Sequence, residues 1–198
     1  MQLIKDQMNK TIKQICEDAK YWDKEKIKEE YIKYMGKEAW EKDEVISSLI
    51  GFELYLSETL GIDMLYIRYE DIEDDSRLVF KDECIVINTK YAYNLIESAK
   101  CLAHEYRHVY QLCFVKENPD DIRAQIMKKE FENPVIITDY NNQDQILKYV
   151  TQEIEIDAFA YTQLVVQRYY RKEITHPDEN MQLVIEAYKR KFISKENI

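Results

Sequence analysis

The stretch His104-Glu105-Tyr106-Arg107-His108 decides how this chain is read. In a helix, the two histidines stand at i and i+4, one turn apart on a single face, where both imidazoles can reach one zinc ion. Glu105 follows His104 by about 100° of helical rotation, so it flanks that ion and can take a proton from a bound water. These are the residue types, at the spacing, of a zinc hydrolase site.

The sequence on either side supports a helix. Cys84-Ile85-Val86-Ile87-Asn88 is a β-branched run that reads as a strand, and Asn88 or Thr89 can cap the helix after it. Neither Gly nor Pro interrupts Thr89 to Asn118, and Pro119 ends the segment. Along it, Leu95, Ala99, Leu102, Tyr106 and Cys113 form an apolar stripe. Glu97, Cys101, His104, His108 and Gln111 share a different face. Histidines beside a packed stripe, rather than within it, suit ligands on the wall of a cleft.

A hydrolytic zinc site takes three protein ligands and keeps a fourth position for water. The remaining histidine, His176, sits in Thr175-His176-Pro177-Asp178, a break between helices where a histidine solvates or caps, so a carboxylate is the better third ligand. Candidates lie in Gln152-Glu153-Ile154-Glu155-Ile156-Asp157-Ala158-Phe159-Ala160-Tyr161, within a second helical segment from about Asn142 to Lys172. Glu153 and Asp157 are i and i+4 on one face, continued by Ala160 and Leu164, and Glu155 points roughly 160° away from Asp157. With one carboxylate on the metal and another steadying a ligating histidine, Glu153 and Asp157 form the compatible pair, and Glu155 faces solvent or the opposite side. The apolar neighbours imply burial, and buried carboxylates need partners.

Together the two segments resemble the gluzincin group of zinc metallopeptidases, in which a later helix supplies a glutamate ligand. Within that group, Glu153-x-Glu155-x-Asp157-x-Phe159-Ala160 is similar to the helix of ImmA/IrrE-type proteases. The resemblance covers roughly residues 78–164. It implies His104, His108 and Glu153 as ligands of Zn²⁺, Glu105 as the base and Asp157 behind the ligands. It also implies a zincin-like fold with a small antiparallel sheet packed on the metal-binding helix, and selective cleavage of a regulatory protein.

Composition is consistent with a soluble cytoplasmic protein. With 198 residues, 45% of them apolar, the chain can bury one core, and no Gly/Pro/Ser-rich linker divides it. A net charge of −10 argues against a nucleic-acid or anionic membrane surface, since phosphate binding needs clustered Lys and Arg. The first residues carry no apolar leader, and no 18-residue apolar run exists. Cys16, Cys84, Cys101 and Cys113 show no Cys-x-x-Cys spacing and read as reduced and buried, with Cys101 a small filler on the histidine face.

The expected architecture is α+β and helix-rich, a single domain over 1–198. An N-terminal helical layer occupies 1–62, with helices over 2–20, 23–35 and about Glu38 to Leu60, the last ended by Gly61. The sheet and metal-site helices occupy 63–175, with strands near 64–69, 78–80 and 84–88 joined through the acidic turn Glu73-Asp74-Asp75-Ser76, and a further short strand at Val135-Ile136-Ile137. A closing helix, Asn180 to Phe192, lies within 176–198. The expected partner is a peptide or protein substrate, laid beside an edge strand at Ile85 to Ile87, with Tyr161 a candidate donor to the oxyanion. The alternative is a metallopeptidase-like zinc-binding regulatory or interaction module without proteolytic activity.

Overall fold

The computed structural model describes residues 37–79, 84–135, 137 and 142–191. The helices expected over 2–20 and 23–35, and Cys16, lie outside them. Within the described residues the chain is α+β, with a small sheet among long helices. The first helix, α1 (Lys37–Leu60), ends at Gly61, whose φ of 68° is the left-handed conformation that costs an L side chain a Cβ clash. The Ile62 N–H then returns to the Ser57 carbonyl at 3.2 Å and satisfies one of the helix's last acceptors.

Three strands follow, β1 (Tyr66–Glu70), β2 (Ser76–Val79) and β3 (Cys84–Asn88), in the order β1-β3-β2. The sheet is mixed, which corrects the antiparallel expectation. β1 runs parallel to β3 with Ile67 beside Ile85, and β2 runs antiparallel to it with Leu78 beside Ile85. The cause lies in the acidic segment 71–75, which carries the chain across the end of β3 instead of closing a hairpin. Asn88 holds it there: its side-chain amide donates to the carbonyls of Ile72 and Asp74, and its backbone N–H donates to Asp75 O at 2.9 Å. Every residue of β3 is buried, as suits a run apolar on both faces. Ile85 to Ile87 therefore lie in the centre of the sheet, and no edge is available there for an added strand.

Because Asn88 also accepts from Lys90 N–H, it caps only a 3-10 turn, Thr89–Tyr91. The motif helix, α2 (Leu95–Glu117), starts later than expected, at Asn94, whose side chain accepts from Glu97 N–H at 3.2 Å. It ends at Asn118, before Pro119. Helices α3 (Ile122–Glu132), α4 (Gln143–Val150), α5 (Glu153–Tyr170) and α6 (Glu179–Lys191) complete the described chain. The segment expected as one helix from Asn142 to Lys172 is broken at Thr151-Gln152. Val135 and Ile137 are not in a strand, and Ile136 and Phe192 fall outside the described residues.

α2 is the centre of the fold, packing most extensively on α5 and also on α1, α3 and the sheet. Its stripe behaves as expected at Ala99, Leu102 and Tyr106, which are fully buried against Phe52 and Leu56 of α1, Ile85 and Ile87 of β3, and Val165 and Val166 of α5. Leu95 is half-buried, and Cys113 is exposed rather than buried. On the back of α2, Tyr106 donates its hydroxyl to the buried Glu53 of α1, which also accepts from Leu65 N–H at 2.9 Å. Burial pushes the Glu53 carboxyl up to about 7, although both hydrogen bonds oppose the rise. No helix among the described residues is long and apolar enough to cross a membrane.

Candidate metal centre

One turn of α2 separates His104 from His108, and their rings meet edge to face with centroids 4.6 Å apart. The two Nε2 atoms approach to 3.0 Å. Facing them from α5 is Glu155, with Oε2 3.3 Å from His104 Nε2 and Oε1 3.6 Å from His108 Nε2. Each of the three residues brings a donor atom into one group spanning no more than 4.8 Å. Ligands at about 2.0–2.1 Å from a tetrahedral zinc ion lie roughly 3.3 Å from one another, so the observed separations straddle the value such an ion requires.

The surroundings fit a cation as well. Glu155 is only 7% exposed, and its Oε2 receives no well-directed hydrogen bond among the described residues, although His104 Nε2 is 3.3 Å away. A buried carboxylate oxygen without a directed donor is costly unless a positive charge faces it. Burial alone would raise the Glu155 carboxyl, but the bond and charge of His104, with His108 and Tyr149, hold it below its ordinary value. His104 responds in the complementary sense: burial, the largest single influence, works against its charged form, and Glu155 together with Glu105 and Asp75 raises it above its ordinary value. Two imidazoles and one carboxylate form a donor set that zinc accepts.

Glu155, not Glu153, stands opposite the histidines, so the carboxylate brought to them is not the one expected. Glu153 and Asp157 do share a face of α5, but that face looks toward α3 and α6. Glu153 accepts from Arg123 Nε at 2.7 Å and from the Tyr188 hydroxyl at 2.8 Å. Asp157 also binds Arg123, at 2.6 Å. Of the two placements expected for Glu155, solvent or the opposite side, the structure shows the second: α5 is enclosed at its first turns, so its opposite side meets α2. Phe159, one turn beyond Glu155, confirms this direction by packing its ring 4.9 Å from that of His104.

The start of α5 fixes this phase. Gln152 supplies no side-chain cap to the helix. Its amide instead donates to Tyr149 O and accepts from Val135 N–H. The cap comes from α3, where the two oxygens of Glu130 accept from Glu153 N–H at 3.0 Å and Ile154 N–H at 3.1 Å.

Glu105 is buried beside the histidines, with Oε1 accepting from the Ser76 hydroxyl of β2 at 2.8 Å. Asp157 is fully buried and lies two hydrogen bonds behind His108. Gln111 Nε2 is 2.7 Å from Asp157 Oδ2, and Gln111 Oε1 is 2.9 Å from His108 Nδ1. Arg107 grips Asp157 with Nε at 2.7 Å and a second nitrogen at 3.0 Å, its guanidinium stacked between Tyr110 and Tyr161. Burial would raise the Asp157 carboxyl, but Arg107 and Arg123 reverse that and hold it below its ordinary value.

Tyr161, expected as an oxyanion donor, is fully buried, with the Arg107 guanidinium over its ring. His176 stays apart from the trio, behind Phe159, and accepts from Asp178 N–H through Nδ1 at 3.0 Å. Cys101 is buried and directs its thiol toward Asp75 O, with burial pushing its pKa up to about 12. Glu155, Gln111 and Arg107 are the site residues to which sequence reasoning gave no role. No sequence signal singled out Glu155: the pairing of Arg107 with Asp157, and of Arg123 with Glu153 and Asp157, shows only in the folded chain.

Comparison of the chain with protein-family models, curated proteins and solved structures finds no match.

Proposed function

We propose that this chain is a zinc-dependent metallopeptidase in which His104, His108 and Glu155 hold the ion and Glu105 is the general base. The observation that carries the reading is the convergence of His104, His108 and Glu155 on one point, with Glu105 adjoining His104 in the sequence. Zinc, when bound, acidifies a water and polarises a carbonyl. The rest is the work of the chain's own groups. Glu105 takes the proton from the attacking water and returns it to the leaving amine. The Ser76 hydroxyl, 2.8 Å from Oε1, keeps that carboxylate oriented from the neighbouring strand. Among the described strands β2 pairs with β3 alone. A peptide added along its open edge would run past the residue that holds the base.

The test is a pair of measurements on the whole chain. Purified protein is expected to hold one equivalent of zinc, and Glu105→Gln to retain that zinc while losing at least about a hundredfold in peptide hydrolysis. Zinc retained with no hydrolysis by either protein supports the alternative, a zinc-binding module without proteolytic activity. Failure of the wild-type chain to bind zinc removes both.

A further inference from the structure

Gln111 is 1% exposed and touches three groups, two of which can only accept a hydrogen bond. Its Nε2 lies 2.8 Å from the Ile154 carbonyl and 2.7 Å from the Asp157 carboxylate. A carbonyl has no proton to give, and neither does an ionised carboxylate gripped by an arginine. The end of the amide facing them must therefore be the NH₂, with both hydrogens used. That leaves Oε1 directed at His108 Nδ1, 2.9 Å away, and an amide oxygen can only accept. The proton of neutral His108 thus rides on Nδ1, and the lone pair stands on Nε2, the atom facing His104 and Glu155.

The orientation of Gln111 has its own support. Asp157 offers Oδ2 to Gln111 and to Arg107 Nε at the same time, both at 2.7 Å. Arg107 is 1% exposed and is held by two ring faces, with its charged carbon 4.5 Å from the Tyr110 centroid and 4.9 Å from the Tyr161 centroid. Turning the amide over would set its oxygen against the Asp157 carboxylate and the Ile154 carbonyl, two repulsions in a buried site.

We infer that Gln111 is a positioning residue that locks His108 in the tautomer able to bind the ion, with Arg107 and Asp157 holding Gln111 in place. The inference rests on the zinc reading above. It gives a role to Arg107, a residue inside the histidine motif that is buried and bound to Asp157. A group hydrogen-bonded to the far nitrogen of a ligating histidine typically changes metal affinity by roughly 10–100-fold.

Two measurements test it. In the metal-free, ¹⁵N-labelled whole chain, long-range ¹H–¹⁵N correlation of the imidazoles is expected to show neutral His108 protonated on Nδ1. Protonation on Nε2 in the wild-type chain overturns the inference without any variant being made. Zinc affinity, read by competition with a chromophoric chelator, is expected to fall roughly 10–100-fold in Gln111→Leu. In the same variant the imidazole correlation is expected to show neutral His108 moving toward protonation on Nε2, because nothing then accepts from Nδ1. Equal affinities for wild type and Q111L overturn the lock alone. So does a loss of affinity in Q111L with His108 still protonated on Nδ1, the signature of a merely structural residue. A wild-type chain that binds no zinc overturns the metal reading itself.

Discussion

Replacing Glu53 by Gln is expected to stabilise the protein in mildly alkaline solution and to leave it nearly unchanged in mildly acidic solution. Glu53 is 3% exposed and packs behind the histidine motif, where its carboxyl moves from an ordinary 4.5 to about 7. A carboxyl with a raised folded pKa is protonated more readily in the native state than in the unfolded chain. Its contribution is therefore complete below about 4.5 and is lost as pH climbs through 7. That loss comes to about 1 kcal/mol at pH 5 and roughly 3 kcal/mol at pH 8. The Gln variant carries no charge at either pH and keeps an oxygen for Tyr106 and Leu65 N–H. Its stability relative to wild type should thus grow by roughly 2–3 kcal/mol between pH 5 and pH 8. For a chain of this size the gain corresponds to a rise in Tm of about 4–12 °C at the upper pH. Urea unfolding of both proteins at a series of pH values, with chelator present to remove metal, reads the difference directly and cancels groups common to both. A difference that stays constant from pH 5 to pH 8 would refute the assignment of a neutral, buried Glu53.

Glu155→Gln should lower zinc affinity by at least about a hundredfold, whereas Glu153→Gln should change it by no more than about threefold. Chelator competition on both variants decides between the two carboxylates, and the reverse order would restore the ligand set implied by the sequence. Asp157→Asn leaves the guanidinium of Arg107 buried beside a neutral amide. Equilibrium unfolding should show a loss of about 3–5 kcal/mol, and a loss below about 1 kcal/mol would show that the pair is dispensable.

Much of the fold was legible in the sequence, and the failures share a physical cause. The motif helix could be read because its signals are local: i, i+4 histidines, an apolar stripe and Pro119 beyond the end. Its start was misplaced because Asn88, a good cap by type, is occupied by Lys90 N–H and the carbonyls of the acidic segment. The strands were found near their true positions, but the sheet order was not, since pairing is settled by contacts distant in sequence. The misplaced carboxylate was a failure of the same kind. Helical periodicity correctly put Glu153 and Asp157 on one face and Glu155 on another. Periodicity cannot say which face meets a neighbour, and that was decided by Arg123, Tyr188 and the enclosure of α5.

The Glu130 carboxylate that closes the first turn of α5 has an effect on how the chain can vary. Glu155 is indexed from α3 as well as from α4, because α5 begins where Glu130 receives the Glu153 and Ile154 N–H groups and where Gln152 is tied back to Tyr149. A change at Glu130, a residue of another helix, would free those two N–H groups and let the start of α5 slip its phase against the imidazoles.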